Sequence, residues 1–355
     1  MPTASVNGAR LNFVQLHEGD GASEHLVMLH GLAANLAFWY LRYAFEFAKQ
    51  FRVTVFDLRG HGRSEMPPAG YSPASLAADL SGLMDQLGIA KAHLLAHSFG
   101  GVVAMRFALE HPERVGSLVL ADTNIAAVRQ RADVSAWGHA QVIQNALNDH
   151  SFDLDVHDPH FGLRLLTQVS RRQLRGIPVP TEIMDLVNPL VGRAGGRTAA
   201  QWLKLMETTA ASTELMGNDG LSLETLRGFH FPIMALYGDR SPARLTGTEL
   251  LEVWPHAVFR SVRNGGHFFP TSRSAEVITA CRRFWGIDAQ RLQSAPRAGE
   301  AARAHFRSDQ IFEEPNGWYF QTRESPRVGP FPRYEEAEAV RRHAVLNVNN
   351  VNATP

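Results

Sequence analysis

The chain has little cysteine, no excess of either charge and no long apolar run. Its single cysteine, Cys281, excludes an internal disulfide framework and a cysteine-rich metal site. Lysine plus arginine number 35, and so do aspartate plus glutamate. With zero net charge, no basic field is expected to attract nucleic acid or an anionic membrane. No apolar run reaches the roughly 20 residues that span a bilayer, so neither partner is expected.

The first 25 residues also lack the apolar core of an export signal. They carry the charged side chains Arg10, Glu18 and Asp20. A cytoplasmic protein is therefore the default expectation. A hydrophobic content of 45% and 355 residues allow one large packed domain and a second small one.

Residues 92–110 carry the most informative pattern in the chain. An apolar stretch runs into AHSFGG at 96–101, and a helical apolar stretch follows. This order predicts a strand, a sharp turn with Ser98 at its apex, and a helix. Small residues two positions before and after the serine, Ala96 and Gly100, let strand and helix approach closely. The turn lifts the serine hydroxyl away from the sheet, where a histidine can accept its proton.

Three further motifs follow predicted strands. His30-Gly31 comes after the apolar residues 26–29, and residues 57–64 (DLRGHGRS) come after the strand-like residues 53–56. Far downstream, Gly266-His267 lies in a loop after the strand-like residues 257–262. In parallel sheets these loops meet at one edge.

In these motifs and their order the chain resembles the α/β-hydrolase superfamily, specifically its serine-nucleophile members with a helical cap. The resemblance covers roughly residues 3–286. It implies an α/β fold with a mostly parallel eight-stranded sheet, helices on both faces and a helical cap inserted after strand 6. It also implies Ser98 as nucleophile and His267 as general base. The backbone N–H groups of Leu32 and Phe99 would form the oxyanion hole.

The third member of the triad departs from the commonest pattern. Most relatives place an aspartate three residues after the glycine that ends the seventh strand, and this chain has Ser241 there. A second arrangement in the superfamily places the acid directly after the sixth strand, where Asp122 follows the apolar residues 117–121. We expect Asp122 to orient His267, with Asp239 as the alternative acid.

Residues 124–228 show helical periodicity and no convincing strand. An insertion at this point lies above the carboxyl ends of the strands, so it is predicted to cap Ser98. Its many apolar side chains predict a pocket for an acyl or otherwise lipophilic group. We expect Gly31, His97 and Trp202 to contribute to substrate binding.

The predicted domains follow from these boundaries. Residues 1–123 and 229–287 form the hydrolase core, and residues 124–228 the cap. Residues 288–302 are rich in Ala, Gln, Arg, Pro and Gly and read as a linker. Residues 303–346 form a small α+β module, which resembles small domains appended to bacterial proteins, and 347–355 form a tail. The module is too small for a large core of its own, so it is expected to dock on the hydrolase or on a second subunit in a homo-oligomer.

The expected function is a cofactor-independent serine hydrolase acting on a small-molecule carboxylic ester or thioester, free or carrier-bound. Alternatives with the same residues are an acyl-carrier or acyl-CoA thioesterase and a C–C bond hydrolase. A ligand receptor without turnover is the alternative from another class. Residues 157–160 (HDPH) have metal-ligand types, but the proline predicts a loop and no further ligands lie at fixed spacing. No metal site is expected.

Overall fold

In this computed structural model the described residues are 2–18, 24–130, 133–134, 137–190, 195–287, 311–314, 317–320 and 328–331. Eight strands form one sheet in the order β1-β2-β4-β3-β5-β6-β7-β8. Their bounds are β1 Thr3–Val6, β2 Ala9–Leu16, β3 His25–Leu29, β4 Arg52–Phe56, β5 Ala92–His97, β6 Val115–Ala121, β7 Ile233–Gly238 and β8 Val258–Val262. The pairs from β4 to β8 are parallel, and β1 and β2 are antiparallel. The predicted mostly parallel eight-stranded sheet is confirmed.

Local sequence explains where these elements begin and turn. Asn7 and Gly8 adopt positive φ angles of 46° and 75° and close the β1–β2 hairpin. Helix α3 (Pro73–Gln86) begins with proline, and the Ser72 hydroxyl accepts the Ser75 N–H. The central strands are apolar along almost their whole length, as strands covered on both faces must be.

Helices cover both faces of the sheet. One face packs on α3, α4 (Phe99–Glu110) and α12 (Arg244–Val253). The other packs on α14 (Ser274–Phe284) and on a helical stretch composed of α1, a π-helical turn and α2. That stretch has the bounds Ala37–Trp39, Tyr40–Ala44 and Phe45–Phe47. The two apolar layers leave the carboxyl ends of the strands as the open edge where a site can form.

Between β6 and β7 the chain is helical and builds a third apolar core. Its helices are α5 Ala126–Arg129, α6 Ala140–Asp149, α7 Phe161–Leu174, α8 Thr181–Val187, α9 Gly195–Thr208, α10 Ala211–Glu214 and α11 Leu223–Leu226. The described residues of this larger part of the chain also include the 3-10 turns Pro112–Arg114 and Asn188–Leu190 and the short helix α13 (Phe269–Ser272). None of the described helices is both long and apolar enough to cross a membrane.

Three short antiparallel strands follow near the carboxyl terminus, in the order β11-β10-β9. Their bounds are β9 Ile311–Glu314, β10 Gly317–Phe320 and β11 Val328–Phe331. The sequence predicts three strands in this module, over residues 306–313, 318–323 and 327–331, and each of them overlaps one of the described strands. The predicted helix over residues 334–346 lies outside the described residues, as do the predicted linker and tail.

Candidate active site

Ser98 occupies a strained turn between β5 and α4. Its φ of 53° and ψ of −124° lie in a region that residues with a side chain rarely adopt. The turn depends on close approach of the backbone. A Cβ on Gly100 would lie 2.6 Å from the carbonyl oxygen of His30, and one on Gly101 would lie 1.9 Å from Thr123 Oγ1. The glycines after the serine are therefore required by packing around the turn.

Three side chains from three strand ends form one chain of hydrogen bonds. His267 Nε2 lies 2.9 Å from Ser98 Oγ. His267 Nδ1 lies 2.7 Å from Asp122 Oδ2 on the other side of the ring. A carboxylate accepts at Nδ1, so the ring carries its hydrogen there and leaves Nε2 free to accept the serine proton. The structure thus brings together the serine, the histidine and the first of the two candidate acids.

Asp122 is fully buried and accepts three hydrogen bonds. Besides His267, it accepts the backbone N–H of Gly238 at 2.9 Å and the hydroxyl of Ser241. Ser241, at the position where the resemblance led us to look for an acid, thus donates to the candidate acid that follows the neighbouring strand. The sequence analysis noted the serine at position 241 but did not predict its hydrogen bond to Asp122.

Asp239, the alternative acid, holds a different part of the site. Its two carboxylate oxygens accept the backbone N–H groups of Asn264 and Gly265, at 2.9 and 3.1 Å. Both donors belong to the loop that leads to His267. Asp239 therefore fixes the loop rather than contacting the imidazole.

The loop after β3 is held from both sides next to Ser98. His30 donates from Nδ1 to the carbonyl of Gly31 at 2.8 Å and accepts the Leu58 N–H at Nε2, at 3.0 Å. The carboxylate of Asp57 accepts the Leu36 N–H at 2.7 Å. These bonds define the loop that carries Leu32, and Leu32 and Phe99 both line the pocket beside Ser98.

His97 and Gly31 lie behind Ser98 and His267 and do not line the pocket. The His97 ring is fully buried, stacks on Phe38 at 4.6 Å and donates from Nε2 to the carbonyl of His267 at 2.9 Å. A Cβ on Gly31 would lie 2.9 Å from the Cβ of Ser98. His97 therefore supports the backbone of His267, and Gly31 allows the close approach of two loops.

A pocket of about 210 Å³ opens beside Ser98 and His267 and extends under the helices between β6 and β7. Its wall is mostly apolar and includes Leu32, Val128, Trp137, Phe161, Leu163, Leu166 and Leu245. Trp202 was expected to bind substrate, but it does not line this pocket. Its indole is 2% exposed within the helical core, and its N–H donates to Thr167 Oγ1 at 3.1 Å. The helical periodicity of the sequence predicts that Trp202 is buried, but it does not predict whether the side chain packs in the helical core or lines the pocket.

Among the described residues, no group of three or more His, Cys, Asp or Glu side chains is arranged to hold a metal ion. His157 instead shares its Nδ1 hydrogen with Asp155, and Asp158 pairs with Arg164 at 2.9 Å. The HDPH segment is thus a loop whose charged groups are paired locally.

Two buried histidines near the site predict an acid-sensitive fold. Burial lowers the pKa of His30 to about 4, and burial together with nearby His30 lowers that of His61 to about 4. Both rings are neutral when folded, whereas in the unfolded chain they protonate near pH 6.5. The free energy of unfolding should therefore be highest above pH 6.5 and fall as pH is lowered towards 4.

Chemical denaturation between pH 7.5 and 4.5 measures this effect. The expected slope is up to about 1.4 kcal/mol per pH unit for each of these histidines. Replacing His61 with Asn removes one titrating group and should flatten the curve. Wild-type stability that stays constant over the whole interval contradicts the prediction.

The family of this chain follows from a match of its sequence to a family model. The family described as alpha/beta hydrolase fold matches residues 24–269, more than half of the chain. The chain belongs to the α/β-hydrolase family. A second match, to a domain of unknown function (DUF6316), covers residues 296–343. It includes most of the predicted module and begins within the predicted linker.

Individual relatives agree with this membership. RutD of Caulobacter segnis, provisionally named a carbamate hydrolase, is 36% identical over 123 residues, or 34% of this chain. The match spans only 45% of RutD, and those to the RutD proteins of Caulobacter vibrioides span 40%. The mouse sn-1-specific diacylglycerol lipase ABHD11 is 26% identical over 76% of this chain and 83% of its own length.

Solved structures show the same fold at low sequence identity. The enol-lactonase of Burkholderia xenovorans superposes on 80% of this α/β-hydrolase chain and 99% of its own, with a TM-score of 0.56 and 23% identity. The carboxylesterase CesB of Bacillus subtilis covers 80% of the chain and 90% of its own length, with a TM-score of 0.57 and 19% identity.

Proposed function

We propose that this α/β-hydrolase is a serine hydrolase that cleaves small carboxylic esters or thioesters. The observation that carries the proposal is the continuous hydrogen-bonded series Ser98–His267–Asp122 at the wall of an apolar pocket. A hydroxyl bonded to the free nitrogen of an imidazole, itself oriented by a carboxylate, is the arrangement that activates serine for acyl transfer.

In the first half-reaction, Ser98 Oγ attacks the substrate carbonyl carbon as its proton moves to His267 Nε2. Negative charge develops on the carbonyl oxygen, which the N–H groups of Leu32 and Phe99 are proposed to bind. Asp122 stabilises the imidazolium. Collapse of the tetrahedral species breaks the C–O or C–S bond, and the Nε2 proton passes to the leaving alcohol or thiol.

In the second half-reaction, a water molecule loses a proton to His267 Nε2 and attacks the acyl carbon on Ser98. The bond to Ser98 Oγ breaks, and the proton returns to that oxygen. The acid product leaves and the enzyme regains its starting state. In each half-reaction His267 Nε2 takes up one proton and releases it again.

The size and position of the pocket support a short acyl group. A volume of about 210 Å³ lies below the range of about 300–1,000 Å³ that is typical of sites for drug-sized ligands. We therefore expect short acyl groups to fit under residues 124–228, the proposed cap, rather than long lipid chains.

A panel of p-nitrophenyl esters and acyl thioesters of graded chain length tests the proposal. Repeated turnover with a maximum of kcat/KM at short chains is the expected result. A single burst of one product per protein followed by no further release would instead support a ligand receptor. Relative rates for esters and thioesters of the same acyl group decide between the two leaving groups.

Two leucines of the proposed cap allow a matched test of the pocket. Leu163 and Leu154 are both partly buried against the same helical core, but only Leu163 lines the pocket. Replacing Leu163 with Ala enlarges the site, so we expect the preferred acyl chain to lengthen by one to two carbons, as measured by kcat/KM across the panel. Leu154→Ala should leave the preference unchanged. The same profile for both variants places the acyl group elsewhere.

The carboxyl-terminal module has no proposed role in the chemistry, because none of the three site residues belongs to it. Its docking on the hydrolase or on a second subunit remains our proposal. Strand β9 lies alongside β8, the edge strand of the main sheet, and Tyr319 of β10 is buried. These two observations support docking on the same chain.

A further inference from the structure

The mostly apolar pocket contains the positively charged side chain of Arg129 in its wall. Arg129 is the last residue of α5, and among the described residues that line the pocket it is the one arginine or lysine. Its Nε is buried and has no hydrogen-bond partner in the described part of the chain, and the guanidinium forms no ion pair with a described carboxylate. A buried donor without a partner costs stability, so it calls for an explanation.

The pocket's own acidic groups are engaged elsewhere. Asp158 pairs with Arg164 at 2.9 Å and accepts the backbone N–H of His160. Burial lowers the pKa of the Arg129 guanidinium, and the negative charge of nearby Asp219 offsets part of that shift. However, the oxygens of Asp219 accept the backbone N–H groups of Ala126 and Leu221, at 2.6 and 3.0 Å. Asp219 thus holds the start of the helix whose last residue is Arg129.

The neighbouring His160 does not supply a negative charge to the guanidinium either. Burial lowers the pKa of His160, and the positive charge of Arg129 lowers it further. The ring is therefore neutral near pH 7. A guanidinium stays charged in proteins and presents a planar set of donors that matches a carboxylate. Arg129 lines the same mostly apolar pocket as Ser98, so a negatively charged group in that pocket would find in it a charged partner.

We propose that Arg129 binds a carboxylate carried by the substrate, so that the enzyme acts on esters or thioesters of acidic rather than purely apolar molecules. This inference rests on the proposed function and specifies its substrate class. The carboxylate supplies the missing partner of the guanidinium while the apolar wall holds the connecting carbons. The scissile carbonyl then lies at Ser98, and the distance between the two sites sets the length of the connection.

Three chromogenic esters test the proposal. The first is the mono-p-nitrophenyl ester of glutaric acid, with the acid on the acyl side. The second is its neutral counterpart, methyl p-nitrophenyl glutarate. The third, 4-carboxyphenyl butyrate, carries the acid on the leaving group. Wild-type protein should prefer one of the two acidic esters over the neutral one by about 10- to 100-fold in kcat/KM. The preferred ester identifies whether the substrate carries its carboxylate on the acyl group or on the leaving group.

Arg129→Met should abolish this preference, and Arg129→Lys should retain part of it because a charge without the planar fork remains. Arg171→Met is the matched control, since Arg171 is an exposed arginine of α7 that pairs with Glu207 and lies outside the pocket lining. It should keep the wild-type ratio. An equal ratio of acidic to neutral rates in wild type and Arg129→Met overturns the proposal but leaves the serine hydrolase assignment intact.

A binding measurement separates the two hypotheses if no ester is turned over. Titration calorimetry with glutarate should show binding to the wild-type protein that weakens at least about tenfold in Arg129→Met and not in Arg171→Met. Such binding without hydrolysis contradicts the proposed function and retains the anion site. If the wild-type protein and Arg129→Met bind glutarate equally well, or if neither binds it, the proposed anion site is wrong, whatever the ester assays show.

Discussion

Replacing Ser98 with Ala should abolish covalent labelling by an alkyl fluorophosphonate and reduce turnover by about 10⁶-fold. The hydroxyl bonded to His267 is the proposed nucleophile, and loss of the serine in comparable triads costs about this factor. Intact-protein mass spectrometry measures the single adduct, and the ester panel measures the rate. Activity that remains would come from the oxyanion donors and from binding alone.

Ser81→Ala provides the control, because this helix α3 serine accepts a hydrogen bond from Arg114 and lies outside the pocket lining. It should be labelled and should turn over substrate like the wild type. Labelling that persists in Ser98→Ala would assign the nucleophile to another residue.

Replacing Asp122 with Asn should reduce kcat by about 10³–10⁴-fold while the protein stays folded. An amide cannot stabilise the imidazolium as a carboxylate does, and it no longer selects the tautomer with hydrogen on His267 Nδ1. Circular dichroism and thermal unfolding check the fold, and pre-steady-state acylation of Ser98 reports the step directly.

Asp239→Asn is the matched comparison, since this carboxylate bonds the loop before His267 and not the ring. We expect a rate loss of about tenfold or less, because its amide oxygen can still accept one of the two backbone N–H groups. If the larger loss appears in Asp239→Asn, the acid has been assigned to the wrong strand.

Much of the fold was predictable because its signals are local. The Asn7-Gly8 turn, the capped start of α3 and the glycines around Ser98 each restrict the backbone within a few residues. Their order along the chain then limits the sheet topology, because parallel crossovers have one hand. The placement of Asp122 next to His267 follows from the same topology, since β6, β7 and β8 are neighbours.

The pocket could not be predicted to the same extent. Trp202 and Leu163 both fit an apolar helical pattern, yet one belongs to the core of the helical insertion and the other to the pocket wall. That difference depends on how helices cross each other, which periodicity does not encode. Arg129 was missed for the same reason, and its only sequence signal is a single charge after the apolar residues 125–128. The π-helical turn Tyr40–Ala44 likewise has no simple local signature.

The unusual backbone angles at this edge of the sheet have a consequence for engineering. Ala33, Ser98 and Asp122 have φ angles between 53° and 55°, a region that glycine enters freely and other residues enter at a cost of about 1–3 kcal/mol each. Two of the three are proposed members of the triad. A search for heat-resistant variants that scored only melting temperature would therefore favour glycine at position 98, and would select the most robust molecules from among the inactive ones. At position 122 the three hydrogen bonds that the buried carboxylate accepts oppose the same replacement.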